Sequence, residues 1–219
     1  MNILKKINKR NIRRILKLAT LEDLTGPQRR LIWPEAKTLG DKHITNCKLL
    51  PDRISIIKKL PKQSICAELG IASCVYSKQI LNENEPKEFH LFDIRNKYID
   101  IAKTKFQKEI NDNVVFTHKG DSSLEIGKFK NEYFDWIYID GDHSYDGCKK
   151  DLMVAKDKIK EFGTIICNDY IYFSPNDFQK YGVVESVNEF CIKYNFEIIF
   201  MSLDRRMYND VALRKIKDN

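Results

Sequence analysis

Three short apolar runs in this chain each stop at an aspartate. Phe89-His90-Leu91-Phe92 ends at Asp93, Trp136-Ile137-Tyr138-Ile139 at Asp140, and Thr164-Ile165-Ile166-Cys167 at Asn168-Asp169. Apolar, aromatic or β-branched runs without clear polar alternation suit strands covered on both faces of a parallel sheet. In an open α/β sheet, ligands bind beyond the carboxyl ends of the strands. Acids at three such ends therefore point to one edge as the functional one.

The segments between these runs carry helical spacing. A helix is expected from Pro51 to Leu60, and a first strand, Ser64 to Leu69, leads through Gly70-Ile71-Ala72-Ser73-Cys74 into a helix at Val75 to Leu81. Asn96 to Ile110 reads as a helix with Tyr98, Ile99, Ala102, Phe106 and Ile110 on one face, followed by a strand at Val114 to Phe116. Tyr145 to Glu161 reads as a helix closed by Gly163 as its C-cap, and a further helix bears Val183, Val184, Val187, Phe190 and Cys191. Phe196 to Leu203 and Tyr208 to Ile216 read as antiparallel strands about a turn at Asp204-Arg205-Arg206. The fold class is α/β: a doubly wound, mostly parallel, Rossmann-like sheet closed by a C-terminal antiparallel hairpin, with an N-terminal helical extension.

At 219 residues the chain has room for one sizeable domain. We expect residues 1–49 to form a basic helix with a lid or entry segment, and residues 50–219 the α/β domain. The net charge of +7 is local. Seven of the 38 lysines and arginines fall in residues 1–20, which hold no acid, and the other 31 equal the 31 acids. This is a basic arm and not a basic domain, which disfavours a nucleic-acid partner. The arm's apolar positions, Leu4, Ile7, Ile12, Ile15, Leu16 and Ala19, suit a helix that docks on the domain or joins a homo-oligomer; contacts with an anionic membrane or a nucleic acid are the alternatives. No apolar run approaches the roughly 18 residues of a membrane span. The six cysteines form no C-x-x-C pair and read as reduced core thiols, and with no secretory signal a cytoplasmic protein is expected.

Asp93 lies 23 residues after Gly70, near the spacing at which an acid accepts hydrogen bonds from both ribose hydroxyls of a bound nucleoside. The turn at Gly70 lacks the further glycines of a pyrophosphate-binding loop, since Ala72 and Cys74 stand where they would fall. A nucleoside ligand without phosphate asks less of such a turn, so S-adenosylmethionine is a better fit than a nicotinamide dinucleotide.

From about Leu50 onward, Ala67-Glu68-Leu69-Gly70, Asp93, Gly120-Asp121-Ser122, the run from Asp135 to Tyr145 (DWIYIDGDHSY), Asn168-Asp169-Tyr170 and Tyr181-Gly182-Val183-Val184 resemble class I S-adenosylmethionine-dependent methyltransferases, most nearly the branch that includes the macrolide-sugar O-methyltransferases. The resemblance implies that Glu68 and Gly70 line the methionine portion of the cofactor, that Asp93 holds the ribose, and that Asp121 and Ser122 sit by the adenine. The implied cofactor-binding set is Glu68, Gly70, Ala72, Asp93, Asp121, Ser122 and Asp140. It also implies Mg²⁺ held by Asp140, Asn168 and Asp169, with His143 as general base. The expected reaction is O-methylation of a hydroxyl on a small molecule or saccharide. The competing readings are an RNA or protein methyltransferase using the basic arm, a nicotinamide-dependent oxidoreductase, and a non-catalytic nucleoside-binding module.

Overall fold

The computed structural model describes residues 36–217. The basic arm and the first part of the entry segment lie outside them. Eight strands form the main sheet: β1 (Lys48–Leu50), β2 (Ile65–Leu69), β3 (Glu88–Asp93), β4 (Val115–Lys119), β5 (Phe134–Ile139), β6 (Ile159–Cys167), β9 (Phe196–Ser202) and β10 (Val211–Lys215). β7 (Phe173–Ser174) and β8 (Gln179–Lys180) make a separate antiparallel pair. The order in the main sheet is β1-β9-β10-β6-β5-β2-β3-β4. The block β6-β5-β2-β3-β4 is parallel throughout, and β10 runs antiparallel between β6 and β9. The helices are α1 (Arg53–Ile57), α2 (Val75–Asn84), α3 (Asn96–Lys105), α4 (Gln107–Asn111), α5 (Ser122–Gly127), α6 (Tyr145–Lys158) and α7 (Val183–Tyr194).

This is the expected Rossmann-like sheet. Strand residues alternate between two buried layers, with Trp136 and Tyr138 packed in one and Ile137 and Ile139 in the other, which is why the β5 sequence shows no polar face. Among the described residues no helix is long and apolar enough to cross a membrane. All six cysteines are free thiols, five of them buried.

Several boundaries differ from expectation. The helix expected at Pro51 to Leu60 is only α1, and the one expected at Asn96 to Ile110 breaks at Phe106 into α3 and α4. The helix expected to reach Glu161 stops at Lys158, because residues 159–163 extend β6 to pair Ile159 with Phe134 across a register shift. Gly163 is therefore no C-cap. A Cβ there would stand 2.7 Å from the Asp135 carbonyl oxygen, so glycine is what lets β6 pass β5. The described part of the entry segment holds a 3₁₀ turn at Asp41–His43, and β1 adds a parallel edge beside β9 across the expected 49/50 boundary.

Candidate functional site

The parallel strands end together, and their loops enclose a cavity of about 600 Å³. Gly70, Ala72, Asp93, Asp121, Ser122 and Asp140 line it, as do Ile94, Arg95, Lys150 and Asp151. Six of the seven residues expected to bind the cofactor thus share one space. Glu68 is the exception, lying beneath the floor and 1% exposed.

The floor is shaped by backbone conformation. Gly70 (φ 92°), Ala72 (φ 42°) and Cys74 (φ 56°) all occupy the left-handed region, although only the first is glycine. A Cβ on Gly70 would stand 2.1 Å from the Asp140 carbonyl oxygen, so the β2 turn and the β5 end touch only because that position is bare. Asp93 holds the turn: its Oδ2 accepts from the Ile71 and Ala72 amides at 3.3 Å, and its Oδ1 from the Arg95 amide at 2.8 Å.

At the β5 and β6 ends, His143 Nε2 lies 3.2 Å from Asn168 Oδ1, 3.5 Å from Asp140 Oδ1 and 3.6 Å from Asp169 Oδ2. The orientation of Asn168 is fixed from behind. Its Nδ2 donates to Asp210 Oδ1 (3.0 Å) and to the Tyr138 hydroxyl oxygen (3.2 Å), while that hydroxyl donates to Asp210 Oδ2 (2.5 Å). With its amide nitrogen committed, Asn168 presents Oδ1 to the imidazole. A carbonyl oxygen only accepts, so the hydrogen-bond pattern assigns the proton to Nε2 and leaves the Nδ1 lone pair without a hydrogen bond among the described residues. The ring stacks on Tyr181 (centroids 4.6 Å apart, planes at 13°), and the Gly182 amide donates to the His143 carbonyl.

The electrostatics follow from burial. Burial lowers the His143 pKa below its ordinary value, outweighing the Asn168 hydrogen bond, and keeps the ring neutral near pH 7. Burial raises Glu68 to about 8, Asp210 to about 7 and Asp169 to about 6. Asp140 is also raised, first by burial and then by Glu68, Asp169 and Asp210; a quarter of its side chain is exposed, and solvent there tempers the effect. The facing cation is Arg53 of α1, stacked 3.9 Å from the Tyr76 ring centre. Although burial works against its charge, Tyr138, Tyr76, Asp210 and Asp140 hold its pKa above the ordinary value.

The expected metal ligands Asp140, Asn168 and Asp169 do converge, and oxygen donors of this kind suit a hard divalent cation. In this structure the group at their convergence is His143 Nε2. Among the described residues no group of three or more His, Cys, Asp or Glu side chains is placed to hold a metal ion.

Ser144 caps α6 by accepting from the Gly147 amide, while Asp142 accepts from the Ser144 amide, so Asp142 shapes the turn and does not cap the helix. Tyr170 donates to Asn188, and the Tyr172 hydroxyl accepts from the Ala36 amide, so these two loop aromatics are tied to the protein itself. Sequence reasoning missed Arg53, Asp151 and Asp210. No local pattern marks them, since each reaches the site only through the tertiary fold.

A family described as a methyltransferase domain matches residues 68–170. No curated protein matches the chain. Solved structures share the fold. A putative type 11 methyltransferase from Sulfolobus solfataricus is 15% identical with a TM-score of 0.56, the match covering 76% of this chain and 91% of that one. A putative rRNA-methylase from Clostridium thermocellum is 16% identical with a TM-score of 0.56, covering 74% and 95%. A SAM dependent methyltransferase from Aquifex aeolicus is 14% identical with a TM-score of 0.55, covering 74% and 87%.

Proposed function

We propose, from the match of residues 68–170 to a family described as a methyltransferase domain, that the chain transfers the methyl group of S-adenosylmethionine to a hydroxyl on a small molecule or saccharide, with His143 as general base. The observation that carries this reading is a neutral imidazole held through Nε2 beside Asp140, which lines the cavity, with Nδ1 making no hydrogen bond among the described residues.

The bound sulfonium supplies an electrophilic methyl group, so the protein's part is to align an oxygen with it and take that oxygen's proton. As the oxygen–carbon bond forms, the carbon–sulfur bond breaks with its electron pair on sulfur, and the hydroxyl proton passes to His143 Nδ1. Asp140 and Asp169, beside Nε2, then stabilise the imidazolium. Asp93 has the position to hold the ribose, and Gly70 and Ala72 form the surface under the methionine portion. Glu68 supports that surface from below. Asp140, Asn168 and Asp169 are the residues that would hold Mg²⁺, which when bound makes a coordinated hydroxyl more acidic.

Calorimetric titration with S-adenosylmethionine, S-adenosylhomocysteine and NADH, each with and without Mg²⁺, tests the reading. Heat with both adenosyl ligands and none with NADH is expected; the reverse pattern points to the oxidoreductase and overturns the proposal. His143→Ala should retain cofactor affinity and lose about 10²- to 10⁴-fold in turnover. Unchanged turnover removes the base assignment. For the metal, Mg²⁺ should raise the melting temperature of the wild type and not of Asp169→Ala, and equal effects on both would remove it.

A further inference from the structure

The proposed reaction uses His143 and leaves its stacked neighbour, Tyr181, without a part. His143 Nε2 meets Asn168 Oδ1 at 3.2 Å, the far end of the usual range of about 2.7–3.2 Å for such bonds, and its contacts with Asp140 and Asp169 are longer still. An imidazole can turn half a revolution about its Cβ–Cγ bond at little intrinsic cost, since that torsion is broad and roughly two-fold. The turn exchanges each ring nitrogen with a carbon, so the Asn168 bond and the place of the Nδ1 lone pair are lost together. One long hydrogen bond is a weak brake on it.

Tyr181 closes one face of the ring. The two ring centres lie 4.6 Å apart with the planes at 13°, and Tyr181 is itself only 4% exposed, so a turning imidazole would have to sweep its edges through a packed neighbour. Tyr181 is held in its turn. Its hydroxyl donates to Asp177 Oδ2 (2.8 Å), an oxygen that also accepts from Ser174 Oγ (3.1 Å). Its amide donates to the Tyr172 carbonyl (2.8 Å), and the next amide, that of Gly182, donates to the His143 carbonyl (2.8 Å). A Cβ on Gly182 would stand 2.2 Å from the Tyr145 amide nitrogen, so the two backbone segments meet only because that position is bare.

We propose that Tyr181 is the positioning residue of His143, its ring face holding the imidazole in the one orientation that turns Nε2 to Asn168 and keeps the Nδ1 lone pair for the acceptor's proton. This role rests on His143 as the base. It also ties the base to the β7–β8 pair, which sets Ser174 opposite Gln179 and so brings Ser174, Asp177 and Tyr181 together. The hairpin after β6 thereby acts on the reaction through the orientation of one ring, without supplying a group that touches the reacting atoms.

The test is nitrogen NMR of the histidine side chains, at a pH where His143 is neutral, in the wild type, Tyr181→Phe and Tyr181→Leu. The His143 signals are identified by their loss in His143→Ala. The wild type should show a single neutral form, protonated on Nε2. Tyr181→Phe keeps the ring face and should reproduce that pattern, although its bond to Asp177 is gone. Tyr181→Leu should move the two nitrogen signals towards each other, because the freed ring samples both orientations and both tautomers. A Tyr181→Leu protein that melts cooperatively and keeps the wild-type pattern overturns the positioning role. So does a Tyr181→Phe protein altered as much as Tyr181→Leu, since the ring face is then not what holds the histidine. A wild type already averaged between the two tautomers overturns it without any variant. Failure of the base reading shows elsewhere, as unchanged turnover in His143→Ala, and removes this role with it, whereas the spectral outcomes overturn the role and leave the base reading standing.

Discussion

Gly70 is where one residue constrains the site most sharply. Its φ of 92° costs an L-residue roughly 1–2 kcal/mol, and its missing side chain leaves space already filled by the Asp140 carbonyl. Gly70→Ala should therefore lower the melting temperature by several degrees and abolish adenosyl-ligand binding, because the β2 turn and the β5 end must part. A variant that melts and titrates like the wild type would show that the turn relaxes without harm. The neighbouring positions show what the sequence concealed. Ala72 and Cys74 adopt the conformation glycine favours, so a search for glycines finds one where the backbone has three left-handed residues. Asp93 and Asp140 were legible because each ends an apolar run. Asp151 was not, because on a helix whose face is set by Cys148, Leu152 and Ala155 an aspartate reads as solvent-facing until the loop carrying Ser122 is known to fold over it.

Among the elements, α1 is short but supplies the cluster's cation. Asp52 caps it by accepting from the Ser55 amide at 2.8 Å, Ile56 and Ile57 bury one side, and Arg53 lies against Tyr76 near Asp140 and Asp210. In sequence this segment showed only its apolar spacing, since nothing local says which distant strand end an arginine will meet. Asp210 was hidden for a related reason. It precedes β10, and only the insertion of β10 between β6 and β9 carries it to Tyr138 and Asn168. The overrun of α6 has another cause: Ile159 and Phe162 fit a helical period, and pairing with β5 decides in favour of strand. Arg53→Met retains much of the stem's volume and removes the charge. It should lower the melting temperature more at pH 8 than at pH 5.5, because only ionised acids need the cation; an equal loss at both would mean that Arg53 acts by packing alone.

Over the whole molecule, these buried groups give stability a pH dependence with a definite sign. Burial raises Glu68, Asp210, Asp169 and Asp151 to about 8, 7, 6 and 6, above the ordinary values of 4.5 for Glu and 3.8 for Asp, so the folded chain binds their protons more tightly than the unfolded chain. Their contribution is complete below about pH 4 and is lost as pH rises through 6 to 8. Three histidines act in the opposite sense: burial lowers His90, His118 and His143, which favours the folded state as pH rises towards 6.5 and adds nothing further above it. The two effects oppose below pH 6.5, and between pH 6.5 and 8.5 the acids, Asp140 among them, are no longer opposed by the histidines, while the buried thiols add to the same trend towards the upper end. The wild-type melting temperature should therefore fall across that window. Glu68→Gln should flatten its upper part, because the buried Oε2, which has no hydrogen-bond partner among the described residues, no longer becomes part of an anion. The variant should gain on the wild type by about 1 kcal/mol or more at pH 8.5, since one pKa unit corresponds to about 1.4 kcal/mol, and by much less at pH 5.5. Thermal unfolding of both proteins at half-unit steps decides this. A flat wild-type profile, or a variant parallel to it throughout, would mean that Glu68 titrates as an ordinary carboxylate and that the floor of the site is wetter than its burial implies.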